Sequence, residues 1–259
     1  MPTPEPLGPT SPLPDGLDEA RRLIAAGEAA GLTLRLLGGL AVKLHSPSAN
    51  HRSLARSYAD LDFALAGKRG DRLEALMPTL GYAPNKGFNL LNGNTRLLFF
   101  DETQERQVDV FVGGFHMCHT IPITARLALE PLTLPLAELF LTKMQIVQLN
   151  EKDMRDVCAL LLDHPFGEGD DETLNLACVA GLCAQDWGLW KSVSVSVRKV
   201  QDFCDAYDMD VRDKLTIVER LNVLRLALDG APKPLKWKVR AAVGEKIQWY
   251  DLPEEVRRG

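Results

Sequence analysis

The chain lacks a cysteine framework. Its five cysteines (Cys118, Cys158, Cys178, Cys183, Cys204) are odd in number and no two are spaced as C-x-x-C, which argues against both a disulfide scaffold and a zinc ribbon. No stretch approaches the roughly 18 uninterrupted apolar residues that span a bilayer. The opening Met1-Pro2-Thr3-Pro4-Glu5-Pro6 has neither the positive charge nor the apolar run of a secretory signal. An excess of one charge is missing as well: 30 Lys+Arg stand against 35 Asp+Glu, a net of −5. No overall basic field therefore recruits nucleic acid, although net charge does not describe local grooves. Together these absences predict a soluble, cytoplasmic chain without membrane contact, its cysteines serving as small buried residues in a reducing compartment.

What is present is an ordinary globular composition, 46% hydrophobic and 25% charged over 259 residues, enough for one large or two modest domains. Residues 1–14 are proline-rich and read as a loose tail. Residues 15–130 read as an α/β region and 131–259 as a helical one, so the expected fold class is α/β (α+β): a small mixed or antiparallel sheet flanked by helices, then an all-helical C-terminal region. Within the first region, Leu17, Ala20, Leu23 and Ile24 follow helical spacing, and Gly31 sits where a helix C-cap belongs. Strands are expected at Thr33–Leu37, Leu61–Leu65, Phe88–Leu91, Thr95–Phe100 and Gln107–Val112, the last two as a hairpin joined by Asp101–Arg106. Helices are expected from Leu40 and over Asp71–Met77. The polar, basic stretch 45–59 interrupts the pattern. Beyond Pro135 the helical runs are 136–149, 152–162, 172–184, 187–207, 212–229 and 236–248, with a polar loop at His164–Asp171.

Three carboxylates stand out. Asp60-Leu61-Asp62 lies at the entry of an expected strand, where residues two apart share a face. Two like charges so close stay ionised most readily with a cation between them, and hard oxygen ligands favour magnesium or manganese. Asp109 sits in the otherwise apolar run Gln107–Val112; if that strand lies beside Leu61–Leu65, its carboxylate reaches the same site. In two-metal phosphoryl transfer one ion binds the triphosphate and the other activates the attacking hydroxyl, and Asp109 suits the second role. Upstream, Gly38-Gly39 marks a strand-to-helix turn at which backbone can approach phosphate oxygens.

The ordered set Leu37-Gly38-Gly39-Leu40-Ala41-Val42, Tyr58-Ala59-Asp60-Leu61-Asp62-Phe63 and Val108-Asp109-Val110 resembles the polymerase-β-type nucleotidyltransferase superfamily, and within it the bacterial AbiEii-like nucleotidyltransferases. The resemblance covers roughly residues 30–162 and includes Leu141-Thr142-Lys143-Met144-Gln145-Ile146-Val147 and Lys152-Asp153-Met154-Arg155-Asp156. It implies magnesium- (or manganese-) dependent transfer of a nucleoside monophosphate from a nucleoside triphosphate (NTP) to an acceptor that is RNA, protein or a small molecule. In that reading Asp60, Asp62 and Asp109 are catalytic and metal-binding, and Gly38, Gly39, Lys143 and Asp156 bind the nucleotide. The group includes toxins, so the resemblance also implies an antitoxin partner as one possibility. Two departures are visible: Leu40 follows Gly39 where many members have Ser or Thr, and the interval from Gly39 to Asp60 is longer than the common pattern.

Other clusters have plainer readings beside the functional one. His116-Met117-Cys118-His119 could ligate zinc, but no second ligand pair accompanies it. Arg52 and Arg56 could meet phosphates or be solvated. The stretch Lys233–Arg240 with Trp237 could touch nucleic acid or form an amphipathic terminal helix. Trp187 and Trp190 read as core anchors. Besides an active transferase, the same residues are compatible with an inactive nucleotide-binding or interaction protein that kept the fold, motivated by Leu40, and with a phosphohydrolase.

Overall fold

A computed structural model describes residues 11–252 as a mixed α/β protein of two compact units, each assembled from non-contiguous segments. One unit comprises the chain up to Ala41, Ser57–Phe115 and Pro122–Leu134; the other comprises Val42–Arg56, His116–Ile121 and the chain from Pro135 onward. Of the stretch 1–14, positions 1–10 lie outside the described residues. Leu13 and Pro14, within that stretch, are held: their carbonyls accept from the Arg106 guanidinium at 3.0 and 2.7 Å.

The first unit begins with α1 (Gly16–Ala29), whose free N–H groups at Leu17 and Asp18 are capped by the Asp15 side chain at 2.9 and 3.0 Å. Beyond the C-cap Ala30 the helix is closed by Gly31, with φ +68. There Gly31 N–H donates to the Glu28 carbonyl and Leu32 N–H to that of Gly27, a Schellman closure that needs a left-handed residue. Next come β1 (Leu34–Leu37) and α2 (Gly38–His45), then β2 (Leu61–Leu65), α3 (Gly70–Leu76), β3 (Ala83–Pro84), α4 (Lys86–Asn92), β4 (Arg96–Asp101) and β5 (Arg106–Val112). The strands form one five-stranded sheet in the order β1-β2-β5-β4-β3. It is mixed: β2 and β5 are parallel, and every other neighbouring pair is antiparallel. Parallel neighbours need a long crossover, supplied here by α3, β3, α4 and β4. In-register Leu36, Phe63, Val110 and Leu97 form one row of the buried face.

The segment Phe88–Leu91, expected as a strand, is helical. Four apolar residues do not by themselves distinguish strand from helix, and Asn85 decides by capping the Phe88 N–H at 3.1 Å. Asn89, one turn in, then accepts the Leu98 N–H at 2.8 Å and so pins α4 to β4.

After the short strands β6 (Phe115–His116) and β7 (Thr120–Ile121), the second unit contains α5 (Leu136–Met144) and α6 (Glu151–Asp163). A parallel pair β8 (Phe166–Gly167) and β9 (Leu174–Asn175) follows, then α7 (Leu176–Gln185), α8 (Trp187–Ala206), α9 (Val211–Gly230) and α10 (Leu235–Val243). The run expected at 136–149 ends early, at Met144. The run at 172–184 starts late, because Leu174 and Asn175 pair with the strand inside the polar loop and the Asn175 side chain caps α7 through Cys178 N–H. α10 stops at Gly244, which has φ +61. The basic stretch after α2 is fastened to this unit: Ser48 donates from both N–H and Oγ to Asp163, and Tyr207 Oη donates to the Ser53 carbonyl at 2.8 Å. Among the described residues no helix is long and apolar enough to cross a membrane.

A buried charge shows how tightly the first unit is set. Glu19 is fully buried; it accepts from Arg22 Nε at 2.8 Å and Nη2 at 2.6 Å, from Tyr82 Oη at 2.7 Å and from Leu13 N–H at 2.9 Å. Removing one member of such a pair strands the other charge, at about 3–5 kcal/mol. Glu19→Ala is expected to lower the unfolding free energy by about that amount and Tyr82→Phe, which loses one hydrogen bond to the buried carboxylate, by about 1.5–3 kcal/mol, both read by urea denaturation.

Candidate active site

The site grows out of the middle of the sheet. β1 ends at Leu37, the register partner of Asp62 on β2, and the chain turns at once into α2. That turn requires Gly38 for two reasons. Its φ of +73 is left-handed, and a Cβ there would stand 2.1 Å from Asp62 Oδ2, so the carboxylate lies directly against the Gly38 backbone. A side chain cannot occupy that space. Gly39 and Leu40 are buried in the first turn of α2.

Asp62 and Asp109 are direct register partners on the parallel strands β2 and β5. Paired residues on neighbouring strands project to the same face, so the two carboxylates stand side by side, opposite the face carrying Phe63 and Val110. Asp60 precedes β2 by one residue and acts on Asp109 electrostatically. Asp109 is buried, Asp62 half-buried and Asp60 exposed. The three carboxylates thus descend from solvent into the sheet.

Asp109 has a dedicated counter-ion that sequence reasoning missed. Arg96, at the start of β4, donates from Nε to Oδ1 at 2.9 Å and to Oδ2 at 3.0 Å, and from Nη2 to Oδ2. The guanidinium is flanked by the Phe88 ring at 5.7 Å and the Phe111 ring at 5.2 Å, which hold it by cation–π attraction. Burial pushes the Asp109 carboxyl above its ordinary value; Arg96 opposes the shift and the charge of Asp60 adds to it, leaving a net upward displacement. A signal for Arg96 did exist. Counting the hairpin back from the Asp101–Arg106 pair sets Leu98 opposite Asp109 and Arg96 opposite Phe111, making Arg96 the diagonal neighbour of the carboxylate.

Three carboxylates beside a close-approaching glycine are hard oxygen donors of the kind magnesium and manganese take, with substrate oxygens completing the shell. Asp60 and Asp62 fit that requirement as a pair. Asp109 fits less directly, because Arg96 engages both its oxygens, and among the described residues no group of three or more His, Cys, Asp or Glu side chains is gathered as a metal site.

Lys143 and Asp156 belong to the second unit. The Lys143 ammonium on α5 contacts Asp153 and Asp156 of α6, each at 2.9 Å. Asp156 also takes a two-pronged contact from Arg56, Nε at 2.8 Å and Nη2 at 2.7 Å. Burial alone would lower the lysine, but Asp156 and Asp153 together hold it well above its usual value. Burial alone would likewise raise Asp156, yet Lys143 and Arg56 keep it below the ordinary carboxylate range. Two cations and two anions compensate one another here, and Arg56 brings the chain after α2 into the network.

Several residues of the other clusters have partners of their own within the second unit. His119 is buried, with its N–H on Gln145 at 2.8 Å and Nε2 2.8 Å from Ser192 Oγ; His116 Nδ1 lies 3.1 Å from Thr120 Oγ1. Trp187 and Trp190 stack edge-on against Trp249 and Trp237 respectively, and Trp237 Nε1 donates to the Cys183 carbonyl. Burial drives the Cys183 thiol up to about 12, so it is an inert apolar residue at neutral pH.

No family model matches the chain, and no curated protein matches it. Among solved structures, the solution structure of the antibiotic-resistance factor ANT(2'')-Ia is similar at a TM-score of 0.34 and 13% identity, over 82% of this chain and 93% of that one. A likeness that remote does not bear on the chemistry of the site.

Two outcomes follow from the geometry. Gly38→Ala is expected to lose at least about 1–2 kcal/mol of stability from the left-handed backbone alone and to drive the Asp62 carboxylate off the turn, checked by denaturation and by carboxyl chemical shifts. Arg96→Gln removes the opposing charge and is expected to raise the Asp109 carboxyl further, read as a higher midpoint in its carboxyl NMR titration. With the folded value above the unfolded one, Asp109 binds more protons when folded. Its contribution to stability is therefore present at low pH and lost as pH rises from the ordinary carboxylate range through the raised value; Arg96→Gln should extend that loss to higher pH.

Proposed function

We propose that the first unit is a magnesium- or manganese-dependent nucleotidyltransferase that moves a nucleoside monophosphate from an NTP to an acceptor hydroxyl. The observation that carries this reading is the register match of Asp62 with Asp109 at the turn where Gly38 meets the Asp62 carboxylate. It is supported by the ordered resemblance of Gly38-Gly39, Asp60-Leu61-Asp62 and Asp109 to the polymerase-β-type superfamily. The finer likeness to the AbiEii-like branch, with its toxins, rests on the same ordered motifs, with the Leu141–Val147 and Lys152–Asp156 segments as further support.

In this reading Asp60 and Asp62 hold the cation. A bound magnesium ion supplies charge neutralisation on the triphosphate and a lowered pKa at the attacking hydroxyl. The acceptor oxygen attacks the α-phosphorus, a new P–O bond forms, the bond to the bridging oxygen breaks and pyrophosphate leaves. Asp109 accepts the hydroxyl proton. Its raised proton affinity suits a base, and Arg96 fixes the orientation of its carboxylate. Leu40 offers no hydroxyl to phosphate, so contact at the turn falls to the backbone of Gly38 and Gly39. Lys143 and Asp156 enter as nucleotide-binding residues through the resemblance, while their ion pair gives them a structural role as well.

Two observations favour a second reading, an inactive nucleotide-binding protein. Arg96 already neutralises Asp109, and Leu40 replaces the hydroxyl residue. Incubation with α-labelled NTPs, magnesium and a cell extract separates the two. Label transferred to an RNA, protein or small-molecule acceptor, lost in Asp62→Asn and Asp109→Asn, is the outcome expected of a transferase. Triphosphate binding without transfer to any acceptor assigns the inactive role, and free monophosphate without an acceptor assigns hydrolysis.

A further inference from the structure

Asp109 stands between an anion and a cation. β5 has β2 on one side and β4 on the other, so its carboxylate has Asp62 beside it and Arg96 diagonally across. Arg96 uses both carboxylate oxygens. Nε reaches Oδ1 at 2.9 Å and Oδ2 at 3.0 Å, and Nη2 also donates to Oδ2. A metal ion on Asp109 would therefore share an oxygen with a guanidinium, a group that is never deprotonated in proteins. Two cations on one buried carboxylate repel strongly, because little water screens them. The guanidinium is also firmly seated. Phe88 and Phe111 flank it, and the helix carrying Phe88 is pinned to β4 through Asn89 and the Leu98 N–H.

On the transferase reading above, on which this inference rests, we propose that the site takes one divalent ion, held by Asp60 and Asp62. The Arg96 guanidinium fills the place of a second cation at Asp109. Charge agrees with that count: three carboxylates and one guanidinium leave two negative charges, which one divalent ion balances. Asp60 and Asp62 stand two apart at the entry of β2, beside the turn where Gly38 meets the Asp62 carboxylate. Triphosphate oxygens would complete the shell there. Arg96 is then a positioning residue. It orients Asp109 as the base without a metal bond, so taking the acceptor proton needs no second ion.

Equilibrium dialysis of manganese against the full chain counts the ions. The probe is a triphosphate analogue with methylene in place of the α–β bridging oxygen, offered with each common base, and circular dichroism controls for folding. The wild type is expected to saturate at one ion per chain. Asp109→Asn should keep that ion and Asp62→Asn should lose it. Arg96→Gln should admit a second ion, and adding Asp109→Asn to it should return the count to one. Two ions on the wild type, falling to one in Asp109→Asn, overturn the proposal and leave the transferase reading standing. A single ion lost in Asp109→Asn does the same. An Arg96→Gln variant that stays at one ion overturns the role given to Arg96. A wild type that binds no manganese with any analogue overturns the proposal and the transferase reading together.

Discussion

The parallel pairing of β2 with β5 is the constraint on which the candidate site depends. It sets Asp62 beside Asp109 at neighbouring positions on one face of the sheet, where the two charges repel. Neither carboxylate is left to the repulsion alone. Asp62 lies against the backbone of Gly38 at the start of α2, where helix N–H groups favour negative charge. Asp109 is clasped by Arg96. Any shift of β5 by one residue would turn Asp109 into the apolar face and Val108 or Val110 into its place. The hydrophobic alternation of β5 and the placement of its carboxylate are therefore one requirement.

Arg96 in turn depends on elements that have nothing of their own to do with phosphate. Its guanidinium lies between Phe88 of α4 and Phe111 of β5, and α4 is held to β4 through Asn89 and Leu98. The short helix thus supports the cation that supports the carboxylate. The same rule governs the other buried charges. Glu19 is satisfied by Arg22, Tyr82 and Leu13 in the first unit, and Lys143 by Asp153 and Asp156 in the second. A buried charge survives only where partners compensate its lost hydration, and here each partner comes from a different turn, element or loop.

Much of the fold could be read from residue patterns. Short apolar runs of strand character located β2, β4 and β5, and the hairpin connection at 101–106 followed from its polar residues. The C-cap at Gly31 was legible because a left-handed residue closes the helix there. Phe88–Leu91 misled because a four-residue apolar run carries no period, and the deciding group, the Asn85 side chain, acts through a local hydrogen bond that hydrophobicity does not register. The start of α7 and the end of α10 shifted for similar reasons: a side-chain cap with a two-residue strand pair, and a left-handed glycine.

By itself the sequence determined which residue types stand at each point: a glycine pair closing a strand, two aspartates two apart, one aspartate within an apolar strand, and a helical second half. These are local facts, set by side-chain volume, periodicity and backbone freedom. Only the tertiary structure decided what each residue meets. It brought Asp109 level with Asp62 through a parallel pairing of strands more than forty residues apart, and put the Asp62 carboxylate where a Gly38 side chain would be. It gave Asp109 to Arg96 and Asp156 to Lys143 and Arg56. Electrostatic partners are chosen by distance in space, and that distance is created by the hydrophobic packing of the sheet and the helices.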